Sequence, residues 1–131
     1  MPHAIVEWTD NLEKDGFRIG ALLELIAADM RATDGVFPLG GIRVRAVRLS
    51  DYVVADGKDD YAFVNITFKI GAGRTLEFKK EFFSGLFEKV KAHFAEISAR
   101  RYLALSLYVE EINESGGWRQ NNIHAKFRKA T

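Results

Sequence analysis

The sequence predicts an α+β fold in which tandem β-α-β units form one four-stranded sheet with two helices on one face. Three observations predict it. Apolar residues alternate over positions 3–8, over 61–70, and through Leu103, Leu105, Leu107 and Val109, the period of half-buried strands. They recur at helical spacing over 19–30 and again between 75 and 100, which is the stripe of an amphipathic helix. The order strand, helix, strand then occurs twice, and His3-Ala4-Ile5-Val6-Glu7 is echoed by Tyr61-Ala62-Phe63-Val64-Asn65. Right-handed crossovers carry both helices to the same side of such a sheet.

In the first strand Ala4, Val6 and Trp8 share one side, and His3, Ile5 and Glu7 the other. Asp10 and Asn11 can cap the helical region that follows. Ile19, Leu22, Leu23, Ile26 and Met30 form its stripe, while Gly16 and Gly20 weaken its first turn. Thr33-Asp34-Gly35 ends this helix, and Phe37-Pro38-Leu39-Gly40-Gly41 reads as an ordered loop. Residues 42–54 are expected to be extended, with a bend or bulge where alternation slips between Ala46 and Leu49.

After a turn at Asp56-Gly57-Lys58-Asp59-Asp60, strand 61–70 points Val64, Ile66, Phe68 and Ile70 one way. Phe63, Asn65, Thr67 and Lys69 point the other way, and Gly71-Ala72-Gly73 stops the strand. A long second helix is expected over 75–100, with Leu76, Phe82, Phe83, Leu86, Phe87, Val90, Phe94 and Ile97 as its buried stripe. The last major strand follows, and the tail opening at Gly116-Gly117 has room for one more short strand. The outer sheet face mixes Ile5 and Phe63 with polar neighbours. It is too apolar for free solvent and too polar for a dry core, which points to subunit contacts.

Composition narrows the function classes. A chain of 131 residues suits one domain over 1–131, and 47% hydrophobic with 28% charged residues is a globular balance. The net charge of +1 is spread along the chain and leaves no footprint for nucleic acid. With no cysteine, disulfides, thiolate metal sites and cysteine nucleophiles are excluded. No basic leader and no run of the ~20 apolar residues needed to span a bilayer is found, so a soluble, cytoplasmic protein with no membrane partner is expected.

Pro2 is the first residue with chemistry to offer. Most chains beginning Met-Pro make no use of the proline, so position alone does not decide. Once Met1 is removed, however, Pro2 becomes a secondary amine at a strand edge. An α-amino group titrates near ~8, and desolvation and nearby cations lower that further by disfavouring the ammonium. Such an amine can take a proton from an enolic substrate and return it elsewhere. Arg43 and Arg45 share one side of their strand; for Arg45 a solvated strand face is the favoured reading. Arg74 follows Gly71-Ala72-Gly73 where a strand ends and a helix begins, a corner that suits anions. Guanidinium forks hold carboxylates bidentately. His3, His93 and His124 lack metal-ligand spacing, and His93 is expected at the surface. The acid pairs Asp59-Asp60 and Glu110-Glu111 read as solvated charge.

Several blocks together carry a resemblance. They are Pro2-His3-Ala4-Ile5-Val6-Glu7 with Asp10-Asn11, Phe37-Pro38-Leu39-Gly40-Gly41-Ile42-Arg43, Asp60-Tyr61-Ala62-Phe63-Val64, Lys69-Ile70-Gly71-Ala72-Gly73-Arg74, and Gln120-Asn121-Asn122-Ile123-His124-Ala125. In this order along nearly the whole chain, they resemble the 5-carboxymethyl-2-hydroxymuconate isomerase family of the tautomerase superfamily. The resemblance implies the tautomerase fold, a homotrimer, no metal or organic cofactor, and an unsaturated carboxylic acid as substrate. It implies an isomerase of aromatic-acid catabolism acting after ring cleavage of homoprotocatechuate, with the family's proline base at Pro2 and its two arginines at Arg43 and Arg74. Gly40 stands where the family often has alanine, residues 11–21 diverge, and the match around 45–54 is loose. A tautomerase of another unsaturated 2-hydroxy or keto acid, or a non-catalytic oligomeric module, is the alternative.

Overall fold

A computed structural model describes residues 1–128. In chain order its elements are β1 (His3–Thr9), a 3₁₀ turn (Asp10–Asp15), α1 (Ile19–Arg31), a short turn (Leu39–Gly41) and β2 (Arg43–Leu49). They continue with β3 (Tyr61–Gly71), α2 (Leu76–His93), α3 (Ala95–Arg100), β4 (Tyr102–Ile112) and two 3₁₀ turns in the tail (Glu114–Gly116 and Ile123–Phe127). The four strands lie in the order β2-β1-β3-β4. β1 is parallel to β2 and β3 to β4, while β1 and β3 are antiparallel at the centre. Each parallel pair is one β-α-β half, as the repeated pattern predicts.

Alternation decides which face is covered. Ala4, Val6 and Trp8 of β1 and Ala62, Val64, Ile66, Phe68 and Ile70 of β3 are buried, as are Leu22, Ile26 and Met30 of α1 and Phe83, Leu86 and Val90 of α2. These side chains form one cluster between sheet and helices. Each large apolar side chain so covered contributes about 1.5–3 kcal/mol. Aromatic contacts close both ends: Trp8 meets Phe17 edge-on at 5.2 Å, and Phe37 meets Phe82 at 5.2 Å. The opposite sheet face carries half-buried Ile5 and Phe63 beside Asn65. The Asn65 amide donates to Glu7 and Thr67, and its carbonyl oxygen accepts from the Ser106 hydroxyl at 2.6 Å.

Several boundaries differ from the sequence reading. The second helix is broken at Phe94, whose φ of −99° and ψ of 7° depart from helical values. Val90, Phe94 and Ile97 all stay buried through the break, so the apolar period runs on and cannot reveal a one-residue departure. Leu76, expected in the buried stripe, stands 63% exposed at the first turn of α2. β2 ends at Leu49, and residues 50–54 are outside the sheet. Asp10 does not cap a helix: it pairs with Arg48 and accepts from the Tyr52 hydroxyl. The tail forms 3₁₀ turns in place of an added strand among the described residues.

One buried cation ties the far end together. The Arg101 side chain is only 6% exposed and pairs with Asp15 at 2.6 Å and Asp60 at 3.2 Å. It also donates to the carbonyls of Asn11 and Asp60, so the exits of β1 and α3 and the entry to β3 share one guanidinium. Removing it leaves Asp15 only Arg100 at 3.9 Å, so Arg101→Ala is expected to lower stability by about 3 kcal/mol, the low end for a broken buried pair, in denaturant unfolding; Arg101→Lys recovers only part, lacking the fork. The Lys14 ammonium, with Asn11 and Arg101, holds the Asp60 carboxyl below its ordinary 3.8, at about 2. A folded-state value below the unfolded one stabilises above pH ~4, and that stabilisation fades as pH falls toward 2. Asp60→Asn should therefore flatten the decline of the thermal midpoint across that interval.

Candidate active site

The strand pairing brings distant residues to one edge. Because β1 and β3 are antiparallel, the start of β1 meets the end of β3, with His3 opposite Lys69. Because β1 and β2 are parallel, the start of β2 arrives there too, with His3 opposite Arg43. Pro2, Arg43 and the loop carrying Arg74 therefore converge.

Pro2 is buried, and its carbonyl accepts from the Arg43 backbone N–H at 3.0 Å. Its ring lies so close to Gly41 that a Cβ there would stand 3.3 Å from Pro2 Cδ. Met1 is attached, so the proline nitrogen is an amide and the free amine belongs to Met1. That amine is pushed below its ordinary 8.0, first by burial and then by Arg119, Arg74 and Arg43.

Arg43 is oriented by the backbone: one terminal nitrogen donates to the carbonyls of Gly40 at 2.9 Å and Ile42 at 3.0 Å. Its other nitrogen lies 3.8 Å from Met1 Sδ. Arg74 follows Gly73, whose φ of +108° lies in a region that favours glycine. The Arg74 fork donates to Gly71 O at 2.9 Å and Val36 O at 3.0 Å, and its plane sits 4.7 Å from the Phe37 ring centroid. Its buried Nε has no acceptor among the described residues. The adjoining helix end is not an open anion site, because Thr75 Oγ1 already accepts from Phe78 N.

Arg45 is exposed, as expected of a solvated strand face, and donates to His3 Nδ1 at 2.9 Å. Arginine only donates, so His3 must accept at Nδ1 and carry its proton at Nε2. Burial first, then Arg45, the amino terminus, Arg43 and Lys69, lower the His3 pKa and favour this neutral form. His93 is exposed, and burial of its ring lowers its pKa as well. His124 lies in the tail against Gly40, away from any metal-like cluster. Among the described residues no three His, Asp or Glu are grouped to hold a metal ion, and no helix is long and apolar enough to cross a membrane.

The tail contributes residues that sequence reasoning passed over. Asn121 donates to Gly40 O at 2.7 Å and lies 3.5 Å from Met1 Sδ. A Cβ on Gly40 would meet the His124 backbone at 2.7 Å, so the glycine admits the tail where alanine would hold it off. Upstream of this anchor, Arg119 and Trp118 line a cleft of about 200 Å³ together with Met1, His3 and Lys69. The only sequence signal was the Gln120–Ala125 block, which has no strand or helix period to say where it folds.

A larger cleft of about 560 Å³ lies at the far end, but its Arg101 is already paired with Asp15 and Asp60. At the amino-terminal edge the charge is unbalanced. Among the described residues Arg43, Arg74 and Arg119 pair with no carboxylate, and Glu111, the acid acting on Arg74, is bound by Lys79. Surplus guanidinium beside an amine of lowered pKa suits binding a carboxylate and moving a proton next to it.

Comparison with known proteins extends over nearly the whole chain. Residues 2–127 match the profile of the 5-carboxymethyl-2-hydroxymuconate isomerase family. The chain is 44% identical over 128 residues to 5-carboxymethyl-2-hydroxymuconate Delta-isomerase of Escherichia coli, covering 98% of this chain and 100% of that protein. It superimposes on the crystal structure of a 5-carboxymethyl-2-hydroxymuconate isomerase from Deinococcus radiodurans R1 with a TM-score of 0.91 and 46% identity, over 98% of this chain and 95% of the other. A fused 4-OT wild type symmetric trimer shares the fold at a TM-score of 0.59 and 20% identity, over 88% of this chain and 89% of that one. The architecture is the α+β tautomerase fold.

The anchor of the tail can be tested directly. Asn121→Ala removes the hydrogen bond to Gly40 O, which is worth about 1 kcal/mol. Faster amide exchange is expected across residues 117–127, with exchange in β1 and β3 unchanged.

Proposed function

The chain belongs to the 5-carboxymethyl-2-hydroxymuconate isomerase family, and from that premise we propose that it isomerises 5-carboxymethyl-2-hydroxymuconate with the amine of Pro2. Removal of Met1 exposes that amine. The neutral nitrogen takes the proton of the substrate 2-hydroxyl, the oxygen becomes a ketone as the double bonds shift, and the nitrogen returns the proton to carbon at the far end of the diene. Nothing is gained or lost overall, so no redox partner is needed. Proton transfer by a positioned group contributes about 10²–10⁴-fold.

The observation that carries this reading is the arrival of Arg43 and Arg74, one from each β-α-β half, at the amino-terminal end of β1. Both guanidinium groups are held by backbone carbonyls rather than acids. Their charge remains available to hold carboxylates and to stabilise the oxyanion that develops at the 2-position. Burial and cations lower the Met1 amine, and Pro2, the next residue, is itself buried beside the start of β2. Neutral His3, bonded to Arg45, adds no charge to the site. For the open sheet face the reading is contact between copies in a homotrimer. Its half-buried Ile5 and Phe63 and exposed Tyr102 and Tyr108 support this, as does the trimeric protein that shares the fold.

The test begins with the amine. A form with an uncleavable residue before Pro2 has only an amide at that nitrogen and should lose turnover, whereas Pro2→Ala keeps a primary amine and should retain some. Arg43→Ala and Arg74→Ala each remove a cation that disfavours the protonated amine. The Pro2 pKa should therefore rise, and the acidic limb of the rate profile should move to higher pH. Rates on the plateau should fall about 10²–10³-fold, as for loss of an oxyanion donor. Arg45→Ala should leave the limb near its original position. A fully active extended form would exclude the proline mechanism.

A further inference from the structure

The tail brings a third arginine to the amino terminus, and the strap that carries it is anchored two residues downstream. Asn121 joins the strap to Gly40 O, and its own carbonyl oxygen accepts from Ile123 N at 2.8 Å. The close approach of Gly40 to the His124 backbone admits the strap at this height. Two residues upstream, Arg119 lies on the wall of the cleft that also holds Met1 and Lys69. It is exposed and among the described residues pairs with no acid.

Donor supply distinguishes the three arginines. One terminal nitrogen of Arg43 is committed to two carbonyls, and both terminal nitrogens of Arg74 donate to Gly71 and Val36. Neither can turn its whole fork to a ligand without losing those bonds. Arg119 makes no such bond among the described residues, so its full fork is available. Among the charges that lower the Met1 amine, Arg119 ranks ahead of Arg74 and Arg43, and Lys69 does not contribute. The proposed substrate carries three carboxylates, one more than Arg43 and Arg74 can pair with one to one.

Resting on the function proposed above, we propose that Arg119 is a third carboxylate-binding residue, and that it sets a preference for dienols carrying three carboxylates over those carrying two. Ranking a tricarboxylate above a dicarboxylate is then a property of the tail.

The experiment uses the full chain with Met1 removal verified by intact mass. Turnover of 5-carboxymethyl-2-hydroxymuconate and of 2-hydroxymuconate, the same dienol without the carboxymethyl arm, is followed by ultraviolet absorbance above the titration of the amine. In Arg119→Ala the KM for the tricarboxylate should rise about tenfold or more, the loss of a charged hydrogen-bonded pair. Its kcat should change far less, and KM for the dicarboxylate should move several-fold less. Arg119→Lys should recover part of the loss, and unchanged amide exchange over 120–127 would show that the strap has stayed in place. Equal KM changes for both substrates, an unchanged KM, or loosening of the strap in both variants would overturn the assignment. If wild type turns over neither substrate, or the proline-blocked form is fully active, the reading of the site falls and takes this one with it. If those controls hold and Arg119→Ala is unselective, only the role of Arg119 falls.

Discussion

The antiparallel pairing of β1 with β3 is the constraint on which the rest of the structure depends. Each half of the chain is a parallel strand pair closed by a helix, and by itself each half would carry its own loop and its own arginine. Running the two central strands in opposite directions sets His3 beside Lys69. The beginning of one half then meets the end of the other. A one-residue slip would turn Ala4, Val6 and Trp8 out of the core, so the burial that stabilises the sheet also sets the register of the site.

Charge is distributed unevenly over the two ends of this sheet. At the end where β1 and β2 finish, Arg48, Arg100 and Arg101 are matched by Asp10, Glu13, Asp15 and Asp60. There the guanidinium groups tie loops together. At the amino-terminal end Arg43 and Arg74 lean on carbonyl dipoles, and no carboxylate answers them among the described residues. A carbonyl orients a guanidinium without cancelling its charge. The same residue type therefore serves as structural cement at one end and as a standing positive field at the other.

That field acts on the amino terminus that lies within it. An amine near its usual pKa is largely protonated at neutral pH. At the Met1 amine, burial and three nearby arginines act together to disfavour the ammonium. In the proposed function the same cations would attract the anionic substrate, so that binding and activation would draw on one arrangement of charge.

How much of this was legible beforehand follows from the range of each signal. Alternation at 3–8, 61–70 and 103–109, the extended run from 42 and the helical stripes at 19–30 and 75–100 are local patterns, and the four strands, both main helices and the buried face followed from them. Pro2, Arg43 and Arg74 were singled out because their chemistry is readable one residue at a time, and the family blocks put them in order. The break at Phe94 was invisible because Val90, Phe94 and Ile97 keep the apolar period across it. Arg119, Asn121 and the partnership of Arg45 with His3 were also missed, and for a different reason. Their meaning lies in contacts such as Asn121 with Gly40, 81 residues apart, and no spacing in an aperiodic tail encodes such a contact. The sequence by itself determined the elements, the buried face and the chemistry on offer, since these depend on neighbours along the chain. Only the tertiary structure decided which cations stay unpaired and which surround the amine, since charge balance is settled by neighbours in space.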